Sequence, residues 1–184
     1  MTGAAPLVTK RMTLVPATPA HVRAEIGDHA ALAGLLGAAV PENWPPESTA
    51  AALPLFLVWM EAAPERAGWF GWYALFRQAG PGAPVLVGSG GFLGPPRDGE
   101  AGIGYAVLPQ FQGRGFATEL AGALVGWALG HPDVLRVAAE TGRANPASVR
   151  VLAKLGFEAA GTGCAPGGQR FTLCRPGVDG PSPG

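Results

Sequence analysis

Two glycines flank an arginine at Gly113-Arg114-Gly115, inside QFQGRGFATEL (110–120), where a helix is about to begin. Pro109 ends the preceding strand, so the first helical amides emerge in the turn with no intrahelical partner. Orphan N–H groups and the positive end of the helix dipole attract an anion. Residues without side chains let that anion approach, and one of them is free to take a positive φ. Arg114 adds a charge that can face either the anion or solvent. Phosphate is the natural guest, and a generic tight turn is the plain alternative. A P-loop is excluded because no Lys precedes a Ser or Thr, and a dinucleotide loop is excluded because GRGFAT lacks the third glycine. Cys164 and Cys174 have no histidine or second pair at ligand spacing, so no metal site is expected. His21, His29 and His131 have no partner placed for a triad.

The rest of the 184-residue chain must position that turn. Thirteen basic and thirteen acidic side chains give a formal net charge of zero, which leaves no polybasic face for nucleic acid or an anionic membrane. Near-neutrality also leaves little colloidal repulsion, so a homodimer is compatible with the composition. With 29 glycines and 19 prolines the chain edges toward low complexity, but 48% hydrophobic residues and five tryptophans supply enough apolar area to fold. No stretch approaches 18 apolar residues, the richest being LPLFLVWM (53–60), and the N-terminus has no continuous apolar signal region. A cytoplasmic protein is the default expectation.

Residues 12–16 read as a strand stopped by Pro16, followed by a helix capped by Thr18 with Pro19 at its first position and ended at Gly27. A second helix starts at Asp28 with Leu32, Leu35 and Leu36 on one face, and a third runs from Ser48 to about Ala63. Between them VPENWPPES (40–48) cannot be regular, because three prolines interrupt it. Strands at 69–77, 85–93 and 102–108 suggest an antiparallel meander. An amphipathic helix after the glycine turn carries Leu120, Leu124, Trp127 and Ala128, and a strand follows at 134–140. The next helix has Asn145 as N-cap, Pro146 at its first position and Gly156 at its end, before a last strand at 169–174. The sum is an α+β sheet domain over residues 12–175, with flexible termini at 1–11 and 176–184.

GIGYAVLPQFQGRGFATEL (102–120) resembles the acetyl-CoA signature of the GCN5-related N-acetyltransferase (GNAT) superfamily: Gln or Arg, two residues, Gly, one residue, then Gly or Ala, matched by Gln112, Gly115 and Ala117. ETGRANPASVRVLAKLGFEAAG (140–161) is similar to the branch of the ribosomal-protein-alanine (RimJ/RimL-type) acetyltransferases, through Asn145, Ser148, Gly156 and Phe157. The resemblance implies a mixed, mostly antiparallel sheet splayed between the strands at 102–108 and 134–140. It places the pantetheine arm of acetyl-CoA against the backbone of Ala106, Val107 and Leu108. It places the pyrophosphate on Gly113, Arg114, Gly115, Phe116 and Ala117, Asn145 against the pantetheine amide region and Ser148 near the thioester sulfur.

Acetyl transfer to an amine needs a neutral amine, a polarised carbonyl and a stabilised leaving thiolate. Glu100 is a candidate base because it enters the strand whose far end meets the thioester, although the family's glutamate before Ile-Gly-Tyr is here Gly102. Glu42 and Glu47 flank Trp44 in the proline loop, where related enzymes keep the acceptor; either acid could hold an ammonium or accept its proton through water. Trp44 is then a pocket wall or an ordinary core tryptophan. Ser148 is either a proton donor to the thiolate or a first-turn serine satisfying an amide. Leu152 stands where another branch keeps a tyrosine acid. Tyr105 faces away from Glu100 and reads as core, and Glu140 closes a strand where it either approaches the site or, as the preferred reading, pairs with Arg143 at the surface. No cysteine has an activating partner, so direct attack in a ternary complex is expected on a peptide or small-molecule amine. The alternative is a degenerate acyl-CoA-binding sensor or scaffold.

Overall fold

Local chemistry sets where the first helices begin. In the computed structural model, which describes residues 4–142 and 144–177 and only the backbone of Glu47 and Ser48, strand β2 (Met12–Pro16) leads to helix α1 (Pro19–Gly27). Thr18 caps α1: its Oγ1 accepts from the His21 amide, and its own amide donates to His21 Nδ1. Asp28 closes α1 and caps α2 (His29–Leu36), accepting from Ala30 and Ala31. Leu32 and Leu36 are buried there, but Leu35 is 52% exposed, because the contact stripe of this short helix is the i, i+4 pair alone. The single helix expected over 48–63 is two, α3 (Glu47–Ala50) and α4 (Leu53–Ala62). Pro54 has no N–H to continue a helix through Ala50 and is tolerated only in the first turn of a new one.

β3 (Gly71–Phe76), β4 (Val85–Phe92) and β5 (Glu100–Val107) form the expected antiparallel meander. Helix α5 (Phe116–Leu129), β6 (Arg136–Gly142), α6 (Pro146–Lys154) and β8 (Gly168–Cys174) follow, with β7 (Glu158–Thr162) before β8. Among the described residues the strands, led by β1 (Leu7–Val8), lie in the order β1-β2-β3-β4-β5-β6-β8-β7. Two of them are additions to the sequence reading. β7 is exposed along its whole length, so no alternation marks it, and it exists by pairing with β8. β1 (Leu7–Val8) lies in the expected flexible lead-in but pairs with β2, and Arg11 is anchored beyond it. Arg143 and residues 178–184 lie outside the described residues.

Side chains alternate across the sheet. Trp72, Val87 and Ile103 join Leu120 and Leu124 of α5 on one face, while Tyr73 and Leu86 join Leu32, Trp44 and Met60 on the other. Each fully buried side chain of this size contributes roughly 1.5–3 kcal/mol. No helix among the described residues is long and apolar enough to cross a membrane.

Candidate active site

The sheet opens along one seam. β5 and β6 run parallel and pair from Glu100↔Arg136 to Ile103↔Ala139, and there the pairing stops. Beyond it β5 stays with β4 through Gly88↔Val107, and β6 stays with β8 through Gly142↔Gly168. This splay leaves backbone groups of β5 without a strand partner. The Leu108 amide is used by the Val87 carbonyl, so by alternation Tyr105 and Val107 turn their backbone groups to the opening, rather than Ala106 and Leu108.

At the end of β5, Gln112 Nε2 donates to the Val107 carbonyl at 2.9 Å and ties the glycine turn to the splayed strand. Gly113 and Gly115 both take positive φ, 73° and 79°. No side chain caps α5, so its first-turn amides stay available to an anion. A side chain at Gly113 would meet no atom within 4 Å, so the cradle is open, and its residues fit a pyrophosphate. Arg114 stacks its guanidinium 5.1 Å from the Phe116 ring.

Three residues that the sequence reading did not single out hold this turn. Glu119, in the first turn of α5, accepts from Thr9 Oγ1 at 2.6 Å, from the Arg11 amide at 2.7 Å and from Arg11 Nε at 2.7 Å, while Arg11 Nη1 donates to the Arg114 carbonyl at 2.9 Å. Burial would raise the Glu119 pKa, but the hydrogen bonds from Thr9 and Arg11 together with the Arg11 charge hold it below the usual range. Across the opening, Asn145 caps α6 by accepting from the Ser148 amide at 3.1 Å, and Ser148 Oγ lies 3.0 Å from the Tyr105 hydroxyl. Tyr105 is thus half-buried against α6 rather than a plain core residue.

On the opposite face a cavity of about 320 Å³ lies beneath α1 and α4 and reaches β5 at Gly104 and Tyr105. Leu53, Phe56 and Met60 of α4 make its walls apolar, and Ser89 sits on its floor. Gly104 has no heavy atom within 4 Å of where a Cβ would stand, which keeps the floor open at the splay. Among the described residues one carboxylate lines the cavity. It belongs to Glu25 of α1, 4% exposed, which accepts from Trp44 Nε1 at 2.8 Å and from the Tyr73 hydroxyl at 2.5 Å. Burial pushes the Glu25 carboxyl up, against the pull of those two hydrogen bonds, and burial beside Glu25 pushes the Tyr73 phenol up as well.

Of the acidic candidates read from sequence, Glu100 and Glu42 are not brought to the splay. Glu100 starts β5 at its closed end, about 13 Å of strand from Gly104, and its carboxylate is held by Arg136 Nε at 2.7 Å and by Arg170. Burial raises its pKa, but the two guanidinium hydrogen bonds and their charges outweigh it and leave a net lowering. Glu42 is exposed and does not line the cavity, and the Glu47 side chain lies outside the described residues. Trp44 is buried and does not line the cavity itself; its indole N–H meets Glu25 and its ring lies 6.3 Å from that of Tyr73, both of which do. Glu140 accepts from the Cys164 amide at 2.9 Å and meets Arg170, not the splay.

A family model for the acetyltransferase (GNAT) domain matches residues 11–158. The uncharacterized N-acetyltransferase YjdG of Bacillus subtilis (strain 168) is 38% identical over 73 residues, which cover 39% of this chain and 44% of that protein, so the match spans less than half of the relative's length. In structure the chain is similar to a ribosomal-protein-S5-alanine acetyltransferase from Vibrio fischeri, with a TM-score of 0.65 and 14% identity over 96% of this chain and 100% of the other. It is also similar to RimL, a ribosomal L7/L12 alpha-N-protein acetyltransferase solved with coenzyme A, with a TM-score of 0.59 and 19% identity over 91% and 96%. At such identities the likeness is one of fold. The family match, however, runs from Arg11 to the start of β7 and takes in both the splayed strands and the glycine turn. The chain belongs to the GNAT family of acetyltransferases.

Proposed function

We propose that this protein transfers the acetyl group of acetyl-CoA to a primary amine by direct attack in a ternary complex. One observation carries the reading: the opening that begins after Ile103↔Ala139 and the apolar cavity under α1 and α4 converge from opposite faces on the same stretch of β5, Gly104 and Tyr105. A donor laid along one face and an acceptor on the other meet there, and proximity supplies much of the rate.

When bound, acetyl-CoA supplies an activated thioester. The first-turn amides of α5 and the glycine turn would hold its pyrophosphate. The free backbone N–H groups of Tyr105 or Val107 are placed to polarise a carbonyl lying in the opening. Ser148, backed by the Tyr105 hydroxyl, offers a proton at the α6 side of the seam. Burial raises the Tyr105 pKa, although its bond to Ser148 pulls it down, so the pair enters as two neutral hydroxyls.

The test has two stages. Calorimetric titration should show acetyl-CoA binding far more tightly than adenosine diphosphate, because the nucleotide cannot use the splay. Release of free coenzyme A thiol is then followed with a panel of primary amines. Binding without release for every amine would favour the sensor reading over the enzyme. Absence of acetyl-CoA binding by folded protein would sink both.

A further inference from the structure

We infer that Glu25 is the anionic anchor of the acceptor cavity, taking up the acceptor as an ammonium ion that cedes one proton to the carboxylate before the neutral amine attacks, and selecting compact monoamines with an apolar body. The inference rests on the transferase reading and adds its substrate class.

A buried carboxylate is costly unless a cation or several donors compensate it. Glu25 has two donors, Trp44 Nε1 and the Tyr73 hydroxyl, and both are neutral. Among the described residues no cationic side chain pairs with it. Arg23, on the same helix, is turned to Glu61. His21, one turn earlier, packs its ring 5.7 Å from that of Tyr73 and spends Nδ1 on Thr18. Burial lowers the His21 pKa, against a backbone hydrogen bond involving Leu35, so the ring is neutral near pH 7 and supplies no charge. α4 faces the cavity with Leu53, Phe56 and Met60, none of which titrates.

Two of the roughly four acceptor sites of a carboxylate are used here, and Glu25 lines the cavity, so the others are open to its contents. An ammonium group brings three donors and the missing positive charge. Low polarity around the pair strengthens the attraction. The same walls discriminate against a second charge or a peptide backbone, since among the described residues no further ionised group lines the cavity to meet either. The volume falls in the range of small-molecule sites, about 300–1,000 Å³.

The probe is 2-phenylethylamine, with 2-phenylethanol as a neutral isostere, each titrated calorimetrically into the full chain in the presence of coenzyme A. The wild type should prefer the amine about 10- to 100-fold, the span of one charged hydrogen-bonded contact, and Glu25→Gln should bring the ratio near one. An unchanged ratio in Glu25→Gln, or no preference in the wild type, overturns the assignment. Tyr73→Phe keeps the carboxylate but removes a donor, so the pH below which the preference disappears should move upward. That midpoint staying fixed also overturns it, and this arm stands even if Glu25→Gln fails to fold. If the preference holds but neither 2-phenylethylamine nor any other amine of the panel releases coenzyme A from acetyl-CoA, the anchor survives and the transferase reading falls.

Discussion

Glu119 and Glu25 sit on opposite faces of the sheet, and their surroundings differ in kind. Glu119 is met by a guanidinium, a hydroxyl and a backbone amide, all from one chain end, and its charge is neutralised in place. Glu25 is more deeply buried but, among the described residues, is met only by an indole and a phenol. The first arrangement fixes the anion-binding turn before any ligand arrives. The second leaves a charge uncompensated until a cation enters. A protein that needs one rigid site and one selective site can make both from the same side chain by changing its partners.

The largest effects should separate the two acids. Glu25→Gln is expected to lower kcat/KM for 2-phenylethylamine about 10- to 100-fold while acetyl-CoA affinity stays within about twofold, by the criterion that distant sites act independently. Glu119→Gln should do the converse, weakening acetyl-CoA roughly tenfold by loosening the turn, at the cost of about one charged hydrogen bond, with the amine-to-alcohol ratio unchanged. Steady-state kinetics and calorimetry on both variants read this directly, and a shared defect would erase the contrast.

A smaller effect is expected at Gly115, whose φ of 79° is unfavourable for any side chain. Gly115→Ala should cost about 1–2 kcal/mol in stability, read by denaturant unfolding, and should weaken acetyl-CoA without changing amine selection.

The two acids also predict opposite pH dependences. The folded pKa of Glu25 lies above its unfolded value near 4.5, so its contribution to stability is fully present below that value and is lost as pH rises through the folded pKa. The Glu119 pKa is depressed, so its contribution is present above about 4.5 and is lost as pH falls through the folded value. Thermal melts should therefore show Glu25→Gln flattening the decline on the alkaline side and Glu119→Gln flattening the acid side. The smallest effect on chemistry is expected from Glu100→Gln. Its carboxylate braces Arg136 and Arg170, so the melting temperature should fall while turnover changes less than about twofold; surface-accessible pairs of this kind contribute around 1 kcal/mol. A large loss of turnover with an unchanged melting temperature would return Glu100 to the reacting centre.

What could be read from sequence was chemistry carried by neighbours in the chain. Thr18 before Pro19, Asn145 before Pro146 and the Gly113-Arg114-Gly115 turn each fix a helix start with residues within four positions of it. Gln112 and Ser148 were legible through the family pattern. Glu25 was not, because its meaning comes from Trp44 and Tyr73, 19 and 48 residues away, and HVRAEIG does not reveal which acid turns inward. Glu42 and Glu47 drew attention instead by lying beside Trp44, yet the tryptophan's indole N–H is turned to Glu25 on another element. The Arg11 clamp was hidden for the same reason, since 108 residues separate Arg11 from Glu119.

The proline loop and the approach to the glycine turn are also joined by a reciprocal amide pair. Asn43 Nδ2 donates to Gln110 Oε1 at 3.0 Å, and Gln110 Nε2 donates to Asn43 Oδ1 at 2.9 Å. Asn43 adjoins Trp44, which supports Glu25; Gln110 lies two residues before Gln112, which supports the turn. The pair is a direct side-chain link between the two regions, exposed on the surface. Whatever coupling it carries is reciprocal, so one ligand changes the other's affinity by the same factor in either order of addition. Asn43→Ala should leave both sites standing, and titrating the amine into that variant with and without coenzyme A reads what the link carries.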